Sequence, residues 1–194
     1  MTESTQSGVC LDPETRIEPC SDQELIAALN RGDLAAFEAL YFRYRDWVVS
    51  LAARITGDPV TALDVVQDTF LYFFKKFPGF RLTAQMKTFL YPAVRNLSIA
   101  ARTKAERYRA TDQTLAELES TQASETSTMD GDLNYVLSRL PEEQREVLLL
   151  RFVDGLALNE IAEAMGIPVG TVKSRLHNAL QTLRNDARTQ ELFK

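Results

Sequence analysis

The chain is expected to fold as an all-α protein of two small helical domains joined by a flexible acidic linker. Three observations carry that expectation. Apolar residues recur at three- and four-residue intervals along most of the 194 residues, and no alternating strand pattern of any length appears. The stretch 111–131 is rich in Ser, Thr and acids and poor in large apolar groups, as linkers are. The stretch 156–180, LALNEIAEAMGIPVGTVKSRLHNAL, carries the spacing of a helix-turn-helix. The expected layout is a polar tail over 1–20, a first domain over 21–110, the linker over 111–131 and a second domain over 132–188. Each domain is small but large enough for its own core.

The elements follow in order. Ser21 can cap a first helix, with Glu24 three residues on as its capping-box partner, and Leu25, Ile26 and Leu29 begin the apolar face. Asn30-Arg31-Gly32-Asp33 reads as a helix stop followed by a new cap. A long helix follows, with Phe37, Leu40, Tyr41, Tyr44, Val48, Leu51, Ala52 and Ile55 repeating at helical spacing until Gly57-Asp58-Pro59. Pro59 or Thr61 starts the next, whose expected buried stripe is Leu63, Val66, Phe70, Phe73, Phe74 and Phe77. Asp64, Gln67, Asp68 and Tyr72 fall on its other faces. Pro78-Gly79 stops it, 81–85 form a short loop, and helix resumes near Met86 to about Tyr108. Pro92 inside that pattern should kink it or mark a break. In the second domain Leu133, Val136, Leu137 and Leu140 open a helical unit. Pro141 opens another containing Val147, Leu148, Leu150, Arg151 and Phe152, and Asp154-Gly155 makes a turn.

Within the helix-turn-helix each position has a reason. Ala162 is small where two helices cross. Gly166 permits the left-handed backbone that ends the first helix. Pro168 suits the start of the next, where a missing N–H costs nothing. Val172, Leu176, Ala179 and Leu180 form an apolar stripe. The opposite face shows Gly170, Thr171, Lys173, Ser174, Arg175, His177 and Asn178, groups suited to phosphates and base edges. A plain helical hairpin would not need that basic face.

The net charge of −5 looks wrong for a nucleic-acid binder, but its distribution resolves the conflict. Between Arg81 and Arg109 seven basic residues face only Glu106, a local charge of +6. Residues 111–132 carry six acids and no base, and the first 24 residues carry six acids against Arg16. Acidity thus lies in tail and linker, while a basic block lies in a folded part. No apolar run approaches the ~20 residues of a membrane span. The N-terminal residues lack the basic start and apolar core of a signal peptide, so a cytoplasmic protein is expected. Cys10 and Cys20 read as free thiols in the tail, because a reducing compartment disfavours a disulfide and zinc needs about four ligands. One histidine, no phosphate loop and no metal spacing argue against an enzyme, a cofactor or a small-molecule substrate.

From about Ser21 to Asp186 the chain resembles bacterial sigma factors of the extracytoplasmic-function type. ALDVVQDTFLYFFKKFPGFR (62–81) is similar to their polymerase-clamp segment, and TFLYPAVRNLSIAARTKAERYR (88–109) to their promoter-melting segment. LSRLPEEQREVLLLRFVDGLALNEIAEAMGIPVGTVKSRLHNAL (137–180) is similar to their region four. The resemblance implies a non-enzymatic factor that binds core RNA polymerase, at its clamp helices and flap, and directs it to promoter DNA. It places Asp64, Gln67 and Asp68 on the polymerase contact. It places Asn96 where a −10 base is read, with Arg95, Arg102, Lys104 and Arg107 on phosphates. The 80–86 loop would take a flipped −10 base, with Phe80 and Arg81 at its start. Phe89 and Tyr91 read as core residues instead. Lys173, Ser174, Arg175 and Asn178 would read the −35 element with Thr171 near a phosphate, while His177 would contact DNA or sit at the edge. The linker would thread near the RNA exit path. An anti-sigma partner is implied, and membrane insertion is not.

The chain departs from the family pattern in four places. Leu82 stands where a glycine is usual, Phe89 where tryptophan is usual, and Pro92 where proline is rare. Ala157 replaces the usual serine cap before the helix-turn-helix, a loss of ~1 kcal/mol. The competing reading is a regulator that binds DNA through its C-terminal domain without recruiting polymerase. The 62–77 helix and the basic 81–109 block speak against it.

Overall fold

The computed structural model describes residues 20–112 and 135–186. The expected tail with Cys10, most of the linker and the end of the second domain lie outside the described residues. The described residues contain helices and no strand. The chain divides into two compact units between Ser98 and Ile99, inside a long helix rather than at the linker.

In the first unit, α1 spans Asp22–Asn30, α2 Leu34–Thr56 and α3 Pro59–Phe74, and α4, Met86–Asp112, begins there and runs past the division. The starts follow the local chemistry. The Ser21 Oγ accepts from the Glu24 N–H at 3.3 Å, and the Glu24 carboxylate accepts from the Ser21 N–H at 2.7 Å. The Ser21 N–H, and after it the Ser21 hydroxyl donating at 2.8 Å, hold the Glu24 carboxyl below the usual carboxylate range. Asp33 caps α2 by accepting from Ala35 N–H at 3.0 Å, and Gly57 ends it at φ +70°. Asp58 caps α3 and Pro59 takes its first turn, which decides between the two expected starts. Asp22 ties α1 to α2, accepting from Arg43 Nη1 at 2.6 Å and from the Tyr44 hydroxyl. Burial, then that bond, pushes the Tyr44 hydroxyl above the ordinary tyrosine range.

Two expectations are corrected here. The buried stripe of α3 is Ala62, Val65, Val66, Thr69, Phe70 and Phe73, whereas Leu63 and Phe74 are 55% and 41% exposed. α3 is apolar on nearly every side, so spacing alone could not choose the stripe that turns inward. Of the kink or break expected at Pro92, the break is absent, because α4 runs as one helix through it. Its missing N–H removes one bond, to the Thr88 carbonyl, and the flanking Leu90, Tyr91 and Val94 are fully buried and anchor the helix on both sides. After Ser98 no described residue of α4 is buried.

In the second unit residues 135–138 are helical, α5 spans Glu142–Phe152, α6 Leu158–Met165 and α7 Val169–Asn185. α7 packs on both α5 and α6. Leu140, Leu148 and Ala179 form a core cluster with Leu137, Leu176 and Leu183 against it. Val147, Ile161 and Val172 are also fully buried. Leu180, expected in the stripe of α7, is 43% exposed, and Leu183 takes the inward place. Ala157 offers no side-chain cap, but Glu160 reaches back to its N–H at 2.7 Å, supplying half of a capping box.

Candidate promoter and polymerase interfaces

The helix-turn-helix has the expected geometry. Gly166 sits at φ +65°, a conformation that costs other residues ~1–2 kcal/mol. The Ile167 N–H returns to the Ala162 carbonyl at 3.0 Å, closing the end of α6. Pro168 precedes α7, and its carbonyl accepts from Thr171 N–H at 2.9 Å and Val172 N–H at 3.2 Å. Val172 and Ala179 are buried beneath the helix, while Lys173, Ser174, His177 and Asn178 are exposed and Thr171 is half-buried. The Ser174 hydroxyl donates to the Thr171 carbonyl at 3.0 Å, which leaves its lone pairs facing outward.

Arg175 differs from its neighbours. It is half-buried and paired with the Glu143 carboxylate at the start of α5. The reason is position: it lies three residues from Val172 and four from Ala179, on the flank of the buried stripe. Sequence reasoning missed Glu143, because nothing local marks an acid on one helix as the partner of an arginine on another.

In the first unit the residues expected to face polymerase lie on one outward face of α3. Asp64, Gln67 and Asp68 are exposed, with Val60, Leu63 and Leu71 beside them at helical spacing. On α4, Asn96, Lys104 and Arg107 are exposed, and Arg95 and Arg102 are half-buried. Arg102 lies 3.8 Å from Glu106 one turn on.

The loop before α4 is rooted in aromatic rings. Phe80 is half-buried, with ring centroids 4.7 Å from Phe89, 5.4 Å from Phe77 and 5.6 Å from Phe73. Tyr91 is fully buried, the core residue the sequence suggested, whereas Phe89 is half-buried among the rings of Tyr72, Phe73 and Phe80. Arg81, Thr83 and Gln85 are exposed. Asn30, read from the sequence only as part of a helix stop, reaches this root across fifty positions and bonds its backbone. A lone asparagine before Arg-Gly carries no signal of such a partner.

Among the described residues no group of His, Cys, Asp or Glu could hold a metal ion, and no helix is long and apolar enough to cross a membrane. Cys20 is a free thiol.

The geometry defines a helix-turn-helix protein of the DNA-binding class, whose first unit turns a mixed acidic and apolar helix face outward. Family comparison agrees: the sigma-70 region 2 model matches residues 40–108, and the sigma-70 region 4 model matches residues 131–183. The ECF sigma-E factor of Escherichia coli K12 is 32% identical over 184 residues, covering 87% of this chain and 95% of its own. SigW of Bacillus subtilis is 30% identical, covering 84% of this chain and 95% of its own. A crystal structure of the sigma factor RpoE with the anti-sigma factor NepR from Bartonella quintana matches 81% of this chain and 96% of its own, at TM-score 0.58 and 24% identity. CnrH, solved with the cytosolic domain of CnrY, covers 89% of this chain and 96% of its own at TM-score 0.61 and 21% identity. The chain therefore belongs to the sigma-70 family, as an RNA polymerase sigma factor of the ECF type. It is a non-enzymatic factor that directs promoter-specific initiation.

Proposed function

We propose that this sigma factor reads the −35 element through α7 and reads and opens the −10 element through the 80–86 loop and α4. The observation that carries the −35 assignment is the exposed face of Lys173, Ser174 and Asn178 above buried Val172 and Ala179. Lys173, Ser174 and Asn178 take groove and backbone contacts, and Thr171 lies near a phosphate. Arg175 reaches a phosphate from the flank, exchanging Glu143 for the DNA. In the first domain, taken as 21–110, Asn96 reads a −10 base. Arg95, Arg102, Lys104 and Arg107 hold phosphates, and Phe80 and Arg81 open the pocket for the flipped base. Asp64, Gln67 and Asp68 contact the polymerase clamp helices. The second domain, 132–188, meets the flap, and 111–131 is the linker. The protein works in the cytoplasm, where its polymerase and DNA are.

An anti-sigma factor completes the assignment. RpoE and CnrH are each solved with a bound protein. Here Val60, Leu63 and Leu71 in the first unit, and Phe152 and Val153 in the second, leave apolar surface for such a partner to cover.

The test is run-off transcription with core polymerase, the purified chain and a library of random −35 and −10 elements. Enriched transcripts sharing two spaced elements are expected. Polymerase binding without any shared −10 element would sink the assignment of the 80–86 loop.

A further inference from the structure

Between the end of α3 at Phe74 and the start of α4 at Met86 the backbone has no helix to satisfy it. Half-buried backbone groups there need partners from elsewhere. One side chain supplies three. The Asn30 Oδ1 accepts from the Gly79 N–H at 2.6 Å and from the Phe80 N–H at 3.1 Å. Its Nδ2 donates to the Phe80 carbonyl at 2.8 Å. The amide thus does for Phe80 what a neighbouring strand would do, satisfying donor and acceptor together.

Asn30 is itself held firmly. It is the last residue of α1, whose Leu25, Ile26 and Leu29 are buried and whose Asp22 is bound to Arg43 and Tyr44 of α2. On the loop side, Gly79 adopts φ +99°, which glycine tolerates and most residues do not. Phe80 is therefore fixed twice, by its ring among Phe73, Phe77 and Phe89 and by its backbone on Asn30. The exposed residues that follow, beginning at Arg81, project from that fixed point.

We infer that Asn30 is a positioning residue for promoter opening: its three bonds hold the root of the 80–86 loop in the conformation that receives the −10 base. It touches no DNA and acts through Phe80. The inference rests on the assignment of that loop to the −10 element. The residue chemistry is narrow. Aspartate keeps the acceptor but sets a carboxylate against the Phe80 carbonyl, and alanine removes all three bonds.

The experiment selects −35 and −10 elements from the random library with full-length Asn30→Ala, Asn30→Asp and Arg81→Ala chains on core polymerase, with polymerase affinity measured separately by competition. For Asn30→Ala the expected result is a −10 preference weakened by about tenfold, with an unchanged −35 preference and polymerase affinity within about twofold of the parent. A merely structural role would not separate the two elements. If Asn30→Ala does not fold, Asn30→Asp is read in its place. Retention of the −10 preference overturns the inference. So does a loss matched by an equal loss of polymerase affinity. If Arg81→Ala loses the −10 preference while the Asn30 variant keeps it, only the role of Asn30 falls. If all keep it, the assignment of the loop falls with it.

Discussion

The helix α7 and the 80–86 loop, which we propose both present side chains to DNA, are set in place by opposite means. α7 is set by its immediate surroundings: a left-handed Gly166, a Pro168 start and a buried stripe within one short stretch. The 80–86 loop has no such local device. Its root is held by Asn30 from fifty positions away and by rings from α3 and α4. The first can be altered locally and repaired locally. The second depends on the whole N-terminal unit.

The largest expected effect breaks that dependence. Phe73 is fully buried and its ring meets Phe37, Phe77, Phe80 and Phe89. Phe73→Ala should cost ~3–5 kcal/mol in the N-terminal unit. Urea unfolding followed by amide exchange on residues of each unit would report it. Protection in α6 and α7 should be unchanged; a matching loss there would mean the two units are not independent.

Pro92→Ala works in the other direction. Pro92 is exposed, so little packing is lost, and the new N–H can bond the Thr88 carbonyl. A gain of up to ~3 kcal/mol is expected in the same exchange measurement, in the N-terminal unit alone. No gain would mean that the Thr88 carbonyl already has another partner.

Most helix starts were legible because capping is local: Ser21 with Glu24, and Asp33, act within three residues. The helix-turn-helix was legible for the same reason. What spacing could not supply was a choice between faces. α3 is apolar on nearly every side, so its spacing points Leu63 and Phe74 inward, where Ala62 and Val65 lie instead. Nor could it supply pairings across the chain, such as Asn30 with Phe80 or Glu143 with Arg175. On α3, α4 and α7 residue types and faces were legible, but not the cross-chain side-chain pairings in which residues such as Arg175 sit.

A smaller effect sharpens the local side of the comparison. Gly166→Ala forces a left-handed alanine and should cost ~1–2 kcal/mol, although a Cβ there meets nothing within 4 Å. The thermal midpoint of the C-terminal unit should fall while −35 preference among folded molecules persists. A change in preference would mean that the turn sets the aim of α7 as well as its stability.

The smallest effect on stability is the most informative about DNA. Glu143 is 67% exposed in its pair with Arg175, so Glu143→Gln should change stability by no more than ~1 kcal/mol. Its effect on binding should be larger than its effect on folding. Without the carboxylate, Arg175 meets its phosphate without first giving up a protein partner. Affinity for a selected −35 duplex should then rise while the salt slope of its logarithm stays that of the parent, because the phosphate contact, worth up to ~0.9 in that slope, is made by both. Lys173→Ala should make that slope shallower by a similar amount. If Glu143→Gln leaves the affinity unchanged, Arg175 is a strut between α5 and α7, and the DNA-reading face of this helix is Lys173, Ser174 and Asn178 alone.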